Sequence, residues 1–427
     1  MKSLSIRGIR SGRICIGLAL ATTGVPLGMY FNHLFPVIPW SPFFMALSVL
    51  LIIRYGKLLA GRLPSFNRLA GGVILFQILM LLYGIPSSEL TGQYLSFHLY
   101  IISLALALAT NTKDINQYEH VIEWTFLLSA ICSLLGAYYL WSGMLVGEIA
   151  WQNKQINEDY ALEIFTASSA ALINIACILY FPRRGRWWIT LVLYLFFAID
   201  FYIIFWGGKR TPLIVLAFIF SLYAAYRGRL FSTKWLMRGF ILAFSSILVY
   251  ASIESFSSRV DDAMYNIYAG VLNILGNSSV SDITGSAIER HESRSWAQGY
   301  IDKNFDALNY IFGGGYMTRW LDNPLFQAYL DMGILGFISY FFLVIVYPTK
   351  HMLRRKLSDL QLFTLSLCLY NILSFINSGH PYGHTKYTPI LLLAHFTLVR
   401  SPASSQDFKY GTQHTTGKLT KISEARL

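Results

Sequence analysis

Five stretches of this chain hold side chains able to do chemistry, and most of their charge is cationic. Lys209 and Arg210 follow two glycines in Trp206-Gly-Gly-Lys-Arg-Thr-Pro. Arg259 opens Arg-Val-Asp-Asp, with Gly270 eleven positions on. Arg290 and Arg294 flank His291, and Trp296 stands two residues past Arg294. Guanidinium groups offer forked donors and diffuse positive charge, which suits a phosphate or pyrophosphate. Paired glycines let a backbone come close to such a ligand. Each cation also has a blander reading. Lys209 and Arg210 would serve as snorkelling residues at a membrane interface, and the three arginines as salt-bridge partners of Asp261, Asp262, Glu289 and Glu292, one to three residues away.

The other two stretches mix signs. Gly313, Gly314 and Gly315 read as a phosphate-binding turn or as a flexible link. Asp322 and Asn323 then precede an apolar run that itself carries Asp331. A carboxylate at membrane depth must face water or a partner. Asp331, nine residues after Asp322 and nearly half a turn round a helix, is expected to face the bundle interior and pair with a buried polar group. Glu163 and Asp200 read as structural partners of other polar side chains. His380, His384 and Lys386 lie close together near the end of the chain. A four-residue histidine spacing suits a metal only on a helix, whereas Pro381 and Gly383 favour a turn. No metal or other cofactor is expected.

The elements that must position these groups follow from composition. The 427 residues are 55% hydrophobic and 13% charged, with a mean hydropathy of +0.48, more apolar side chain than a soluble domain can hide. The chain is expected to be all-α: a polytopic membrane bundle of about twelve spans, at 14–32, 36–53, 69–86, 95–111, 122–144, 161–181, 187–206, 211–226, 239–253, 325–347, 360–378 and 388–400. The basic start of the first segment also fits a signal peptide, but no small-x-small cleavage site is convincing.

Of the 34 basic residues, 25 fall on one side of this arrangement and nine on the other. Basic residues are retained in the cytoplasm, so both termini are expected inside. The formal charge of +12 thus anchors topology and excludes nucleic acid as the main partner. Residues 1–253 form the first nine spans, 254–324 a large, partly helical extracytoplasmic loop, 325–400 the last three spans, and 401–427 a polar, disordered cytoplasmic tail. The four cysteines lie singly in predicted spans, which speaks against a disulfide framework.

The order of these features resembles a family. Asp322-Asn323, Gln327, Gly333 and Gly336 in DNPLFQAYLDMGILGF are similar to the element after the large periplasmic loop in the Wzy-type O-antigen polymerase and O-antigen ligase superfamily. Arg294-Ser-Trp296 leading to three glycines resembles its Arg-x-Trp segment, and GGKRTP its earlier arginine-bearing outer loop. The likeness covers roughly residues 200–345. Arg259 to Gly270 fits an Arg-x10-Gly pattern described for such polymerases, as does Arg13 to Gly24 on the other side, whereas Arg210 is followed at the required distance by Ser221. The ligases carry His rather than Asp beside the Asn, which tilts the likeness toward the polymerases.

The resemblance implies a metal-independent glycosyltransferase of the bacterial inner membrane. It would join undecaprenyl-pyrophosphate-linked oligosaccharides into an O-antigen, capsule or exopolysaccharide, with a chain-length regulator and a flippase as candidate partners besides the bilayer. Arg210, Arg259, Arg294 and Lys209 would hold the pyrophosphate. Asp322 or His291 would accept the proton of the attacking hydroxyl, and Asn323, Gly270 and Trp296 would support them. Transfer of finished polymer to lipid A-core, or transport of the lipid-linked sugar, are the competing readings.

Overall fold

A computed structural model describes residues 6–84, 91–146, 158–182, 187–207, 210–227, 261, 264, 265, 268, 286–315, 318, 319, 321, 323–354, 356–375 and 379–399. Among them the chain is helical, with no strand. The helices are α1 (Ile6–Leu34), α2 (Trp40–Ile52), α3 (Tyr55–Leu59), α4 (Arg68–Gly84), α5 (Thr91–Ala109), α6 (Val121–Val146), α7 (Glu158–Tyr180), α8 (Trp187–Trp206) and α9 (Arg210–Arg227). They continue with α10 (Ser286–Asn304), α11 (Ala307–Phe312), α12 (Pro324–Phe341), α13 (Tyr347–Met352), α14 (Asp359–Ser374) and α15 (His384–Phe396). Each predicted apolar segment coincides with one of them except 239–253, which lies outside the described residues, as do the predicted tail and much of the large loop.

Four stretches are long and apolar enough to cross a membrane: Ser11–Leu34, Ile115–Gly143, Trp187–Trp206 and Pro324–Met352. Shorter apolar helices stand beside them at Trp40–Ile52, Arg68–Leu82, Leu95–Ala109, Thr166–Tyr180 and Thr211–Arg227. Within the predicted large loop, α10 and α11 are helical, and they part at Phe305 and Asp306, where Asp306 caps α11 by accepting from the Asn309 amide at 2.8 Å. The N-terminus of α14 is closed by a capping box in which Ser358 and Gln361 exchange bonds of 3.3 and 3.0 Å; the Ser-x-x-Gln spacing supplies both partners.

Helix α1 packs antiparallel on α2, its most extensive contact. Small residues make this possible, because only they let two backbones approach closely. A Cβ at Gly28 would lie 2.5 Å from the Cα and N of Ser41, and one at Gly17 would lie 2.8 Å from Ile52 Cγ1. Polar groups inside the bundle are tied to one another. Asn174 of α7 donates to Asp200 of α8 at 2.8 Å and accepts from Ser129 of α6 at 2.8 Å, which places the fully buried Asp200 in the structural role its sequence context foretold.

At the predicted cytoplasmic end a lattice of amides and hydroxyls joins α1, α2, α5 and α15. Gln117 accepts from Arg54 and, at 2.6 Å, from Thr112, and donates to Asn111 at 3.0 Å. Asn111 caps the end of α2 through Ile52 O at 2.9 Å, and Tyr118 pairs with His395 of α15 at 2.7 Å. An ion pair joins Arg227 at the end of α9 to Asp359 at the start of α14.

The α1–α2 contact makes a testable prediction. Gly28→Leu has no room without parting the helices, a cost of about 1–3 kcal/mol, so its thermal unfolding midpoint in detergent should fall clearly below wild type. Gly12→Leu should not shift it, since no atom lies within 4 Å of a Cβ at Gly12.

Candidate functional site

The distinctive feature of the described bundle is a break in α12. Gly333 has φ 61° and ψ −159°, so the helix stops and restarts there. Only glycine adopts this conformation without strain, and the break leaves carbonyls with no partner in the helix. The glycine strap supplies the partners: Gly314 N donates to Leu330 O at 2.8 Å and Gly315 N to Asp331 O at 3.1 Å. The approach is at backbone distance. A Cβ at Gly313 would stand 2.2 Å from the Asp331 carbonyl, and one at Gly333 would stand 2.4 Å from that of Ile311.

This corrects both readings of the three glycines. Gly313 N is also spent, closing α11 on Asn309 O at 2.7 Å. With all three amides donated inside the chain, none is left to cradle a phosphate, and the segment is a docked strap, not a loose link.

The cap helix α10 sits on the same place. Ala297 and Ile301, one turn apart, are buried with Leu321 and with Leu330 of α12, while Trp296, Tyr300 and Phe305 pack around them. Trp296 stacks on Tyr300 at 5.2 Å, and the Arg319 guanidinium lies 4.6 Å from the Trp296 ring centre. Trp296 is thereby a clamp between α10 and the chain leading into α12. Arg294, one turn before Ala297, is half-buried on the docking face of α10, and His291 lies one turn further back on the same helix. Asn323 is a buried N-cap: its side-chain oxygen accepts from Phe326 N at 3.1 Å, with Pro324 at the first helical position.

The structure thus brings Arg294, Trp296 and Asn323 onto packed elements. Arg210 is the first residue of α9, which packs chiefly on α14 and α7. Lys209, Arg259, Gly270 and Asp322 lie outside the described residues.

Below the cap, donors from several segments converge on Asp331, which is fully buried. Its Oδ2 accepts from Gln327 Nε2 at 2.7 Å and from the Tyr382 hydroxyl at 2.6 Å, and its Oδ1 from Thr318 N at 3.2 Å. Gln327 is itself held, accepting from Leu321 N at 2.9 Å. Among the described residues the expected buried partners of Asp331 include Gln327 of its own helix, Thr318 of the strap and Tyr382 of the loop before α15.

Around Tyr382 stand imidazoles that the sequence reading did not single out or read differently. His98 of α5 faces the Tyr382 ring at 6.4 Å and pairs with Gln77 of α4. His380 lies 6.0 Å from the same ring, and its Nδ1 accepts from Tyr382 N at 3.3 Å. His384 packs on Phe97 at 4.9 Å, and Lys386 donates to Ser374 at 2.8 Å. Among the described residues no group of three His, Cys, Asp or Glu side chains is placed to hold a metal. The missed signal was present at Gln77 and His98, each a strongly polar residue inside an apolar helix, where such residues mark sites by default.

Comparison with known family models, curated proteins and solved structures returns no match for this chain.

The loop geometry carries a prediction for pH. Burial, followed by the charges of Lys386, His384 and His98, lowers the His380 imidazole from 6.5 to about 4. The unfolded chain then takes up a proton before the folded one, so stability is lost as pH falls from about 6.5 toward about 4. Unfolding midpoints in detergent from pH 7.5 to 4 should therefore decline less steeply for His380→Gln than for wild type; parallel curves would contradict the burial of a neutral ring.

Proposed function

We propose that the chain is a metal-independent glycosyltransferase that polymerises undecaprenyl-pyrophosphate-linked repeat units on the outer face of a bacterial inner membrane. The observation that carries this reading is the docking of α10, with Arg294 on its docking face, over the broken helix α12 at Asn323. The helix that carries Arg294 packs through Ala297 and Ile301 on Leu321 and Leu330, which supports the order of elements that the family resemblance implies.

In the proposed reaction the acceptor hydroxyl attacks the anomeric carbon of the donor sugar. A new C–O bond forms as the bond to the pyrophosphate oxygen breaks, and undecaprenyl pyrophosphate leaves with the electron pair. Arg294, with Arg210, Arg259 and Lys209, would neutralise the charge that develops on the leaving group; fixed guanidinium groups do this without a metal. The proton of the hydroxyl passes to a base, for which Asp322 and His291 are the candidates. About twelve spans, cytoplasmic termini and the large outer loop complete the proposal.

One observation bears on the transport reading: a membrane helix broken beside a buried acid is a device that transporters also use. Deleting the gene and running surface and lipid-linked glycans on a gel separates the readings. Loss of the polymer ladder with single repeat units on lipid supports polymerisation. Full-length polymer stranded on the lipid would indicate transfer to lipid A-core, and repeat units trapped on the cytoplasmic leaflet would indicate transport. In the complemented strain Arg294→Ala should cut polymer formation about 100-fold or more, the scale for loss of one preorganised donor, and Arg294→Lys should not restore it, because an ammonium lacks the fork. Asp322→Asn that polymerises at the normal rate would remove Asp322 as the base.

A further inference from the structure

We propose that Asp331 is a positioning residue: from inside the bundle it sets where the segment around Asp322 and Asn323 stands relative to the cap. The proposal rests on the polymerisation reading for its catalytic consequence, but the device itself is structural. Three stretches of chain meet at this one carboxylate or at its neighbour Gln327: the segment holding Thr318 and Leu321, α12 itself, and Tyr382, which is 51 residues on.

Thr318 belongs to the strap descending from the cap, and its amide ends on Asp331 Oδ1 at 3.2 Å. Leu321, next to Asp322, ends on Gln327 Oε1 at 2.9 Å, and Gln327 in turn donates to Asp331 Oδ2 at 2.7 Å. Tyr382 brings in the last outer loop at 2.6 Å. That loop is fixed from behind, since Tyr387 donates to Pro381 O at 2.8 Å and Asn371 of α14 donates to the carbonyls of Thr385 and Lys386 at 3.1 and 3.0 Å.

The chemistry of the acceptor explains why an acid is used. A carboxylate offers two oxygens and no N–H, so it takes three converging donors at once. An asparagine would turn an NH2 group toward at least one of them. The backbone anchors of the strap are separate: Gly314 and Gly315 bond to main-chain carbonyls of α12, and those survive a change of the Asp331 side chain. Loss of the carboxylate should therefore loosen Thr318 and Leu321 while the glycine crossing stays in place. It moves the segment that carries the proposed base without undocking the cap.

The test uses the full chain in lipid nanodiscs, with lipid-linked repeat units purified from the deletion strain as substrate. Amide hydrogen exchange is followed in wild type, Asp331→Asn, Tyr382→Phe and the double variant. For Asp331→Asn we expect exchange at Thr318 and Leu321 to quicken at least tenfold with Gly314 and Gly315 unchanged, a pattern that general destabilisation would not produce. Turnover should drop at least tenfold with donor KM held within twofold. Tyr382→Phe, which keeps the acid, should show a smaller effect of the same kind, and the double variant should be no worse than Asp331→Asn, because residues of one network do not add.

Unchanged exchange at Thr318 and Leu321 overturns the proposal, as does faster exchange with full turnover. If Asp331→Asn does not fold, Tyr382→Phe decides by the same two readouts. Wild-type protein that makes no polymer would end the polymerisation reading, and exchange alone would then show whether Asp331 holds the segment.

Discussion

A helix broken inside an apolar bundle sets the constraint on which the packing of α10, α11 and α12 depends. Hydrocarbon offers no hydrogen bonds, so backbone groups freed at membrane depth must be satisfied by the protein itself. The turn at Gly333 frees such groups, and the strap of glycines satisfies the carbonyls of Leu330 and Asp331. Only residues without a side chain can cross at that distance, so Gly313 and Gly333 are two halves of one contact. Once the crossing exists, α11 and the exit from α10 are fixed in place over α12.

Apolar and polar forces then divide the work. Docking of α10 is carried by Ala297, Ile301, Leu321 and Leu330 with a rim of aromatic rings, contacts that need no charge. Arg319, on the chain leading into α12, adds a cation–π contact to the Trp296 ring. Beneath, Leu325 N donates to Phe375 O at 3.1 Å across the start of α12 and the end of α14, and Tyr382 of the loop before α15 is both buried in the core and hydrogen-bonded to Asp331. A site assembled this way has an apolar foundation and a polar upper surface, the arrangement that lets binding chemistry vary without loss of the fold.

Much of the helical framework was legible in the sequence because apolar runs and caps are local signals. The runs fall on the helices, Ser358 with Gln361 marks the start of α14, and Asn323-Pro324 marks the start of α12. The break was not legible, since hydropathy continues across Gly333 and a single glycine in an apolar helix reads as a packing residue. The role of the triple glycine depended on that unseen break, which is why its spacing left a phosphate turn and a loose link open. Asp331 was half legible: periodicity turned it inward, but Thr318 and Tyr382 reach it from 13 and 51 residues away. Gln77 and His98 were passed over for a related reason, because each looks like an isolated polar residue until α4 and α5 are side by side.

The satisfied break also weighs between the competing functions. A transporter that unwinds a helix at membrane depth does so to expose carbonyls and helix ends to its cargo. Here the carbonyls of Leu330 and Asp331 are occupied by the chain's own glycines, and the Asp331 carboxylate accepts three internal donors. An ion or headgroup entering at this point would have to displace bonds that hold the cap. What the break offers instead is a rigid seat for α10 and α11 on α12. A fixed catalytic cleft requires such a seat, because reacting groups contributed by separate segments must be held to within fractions of an ångström.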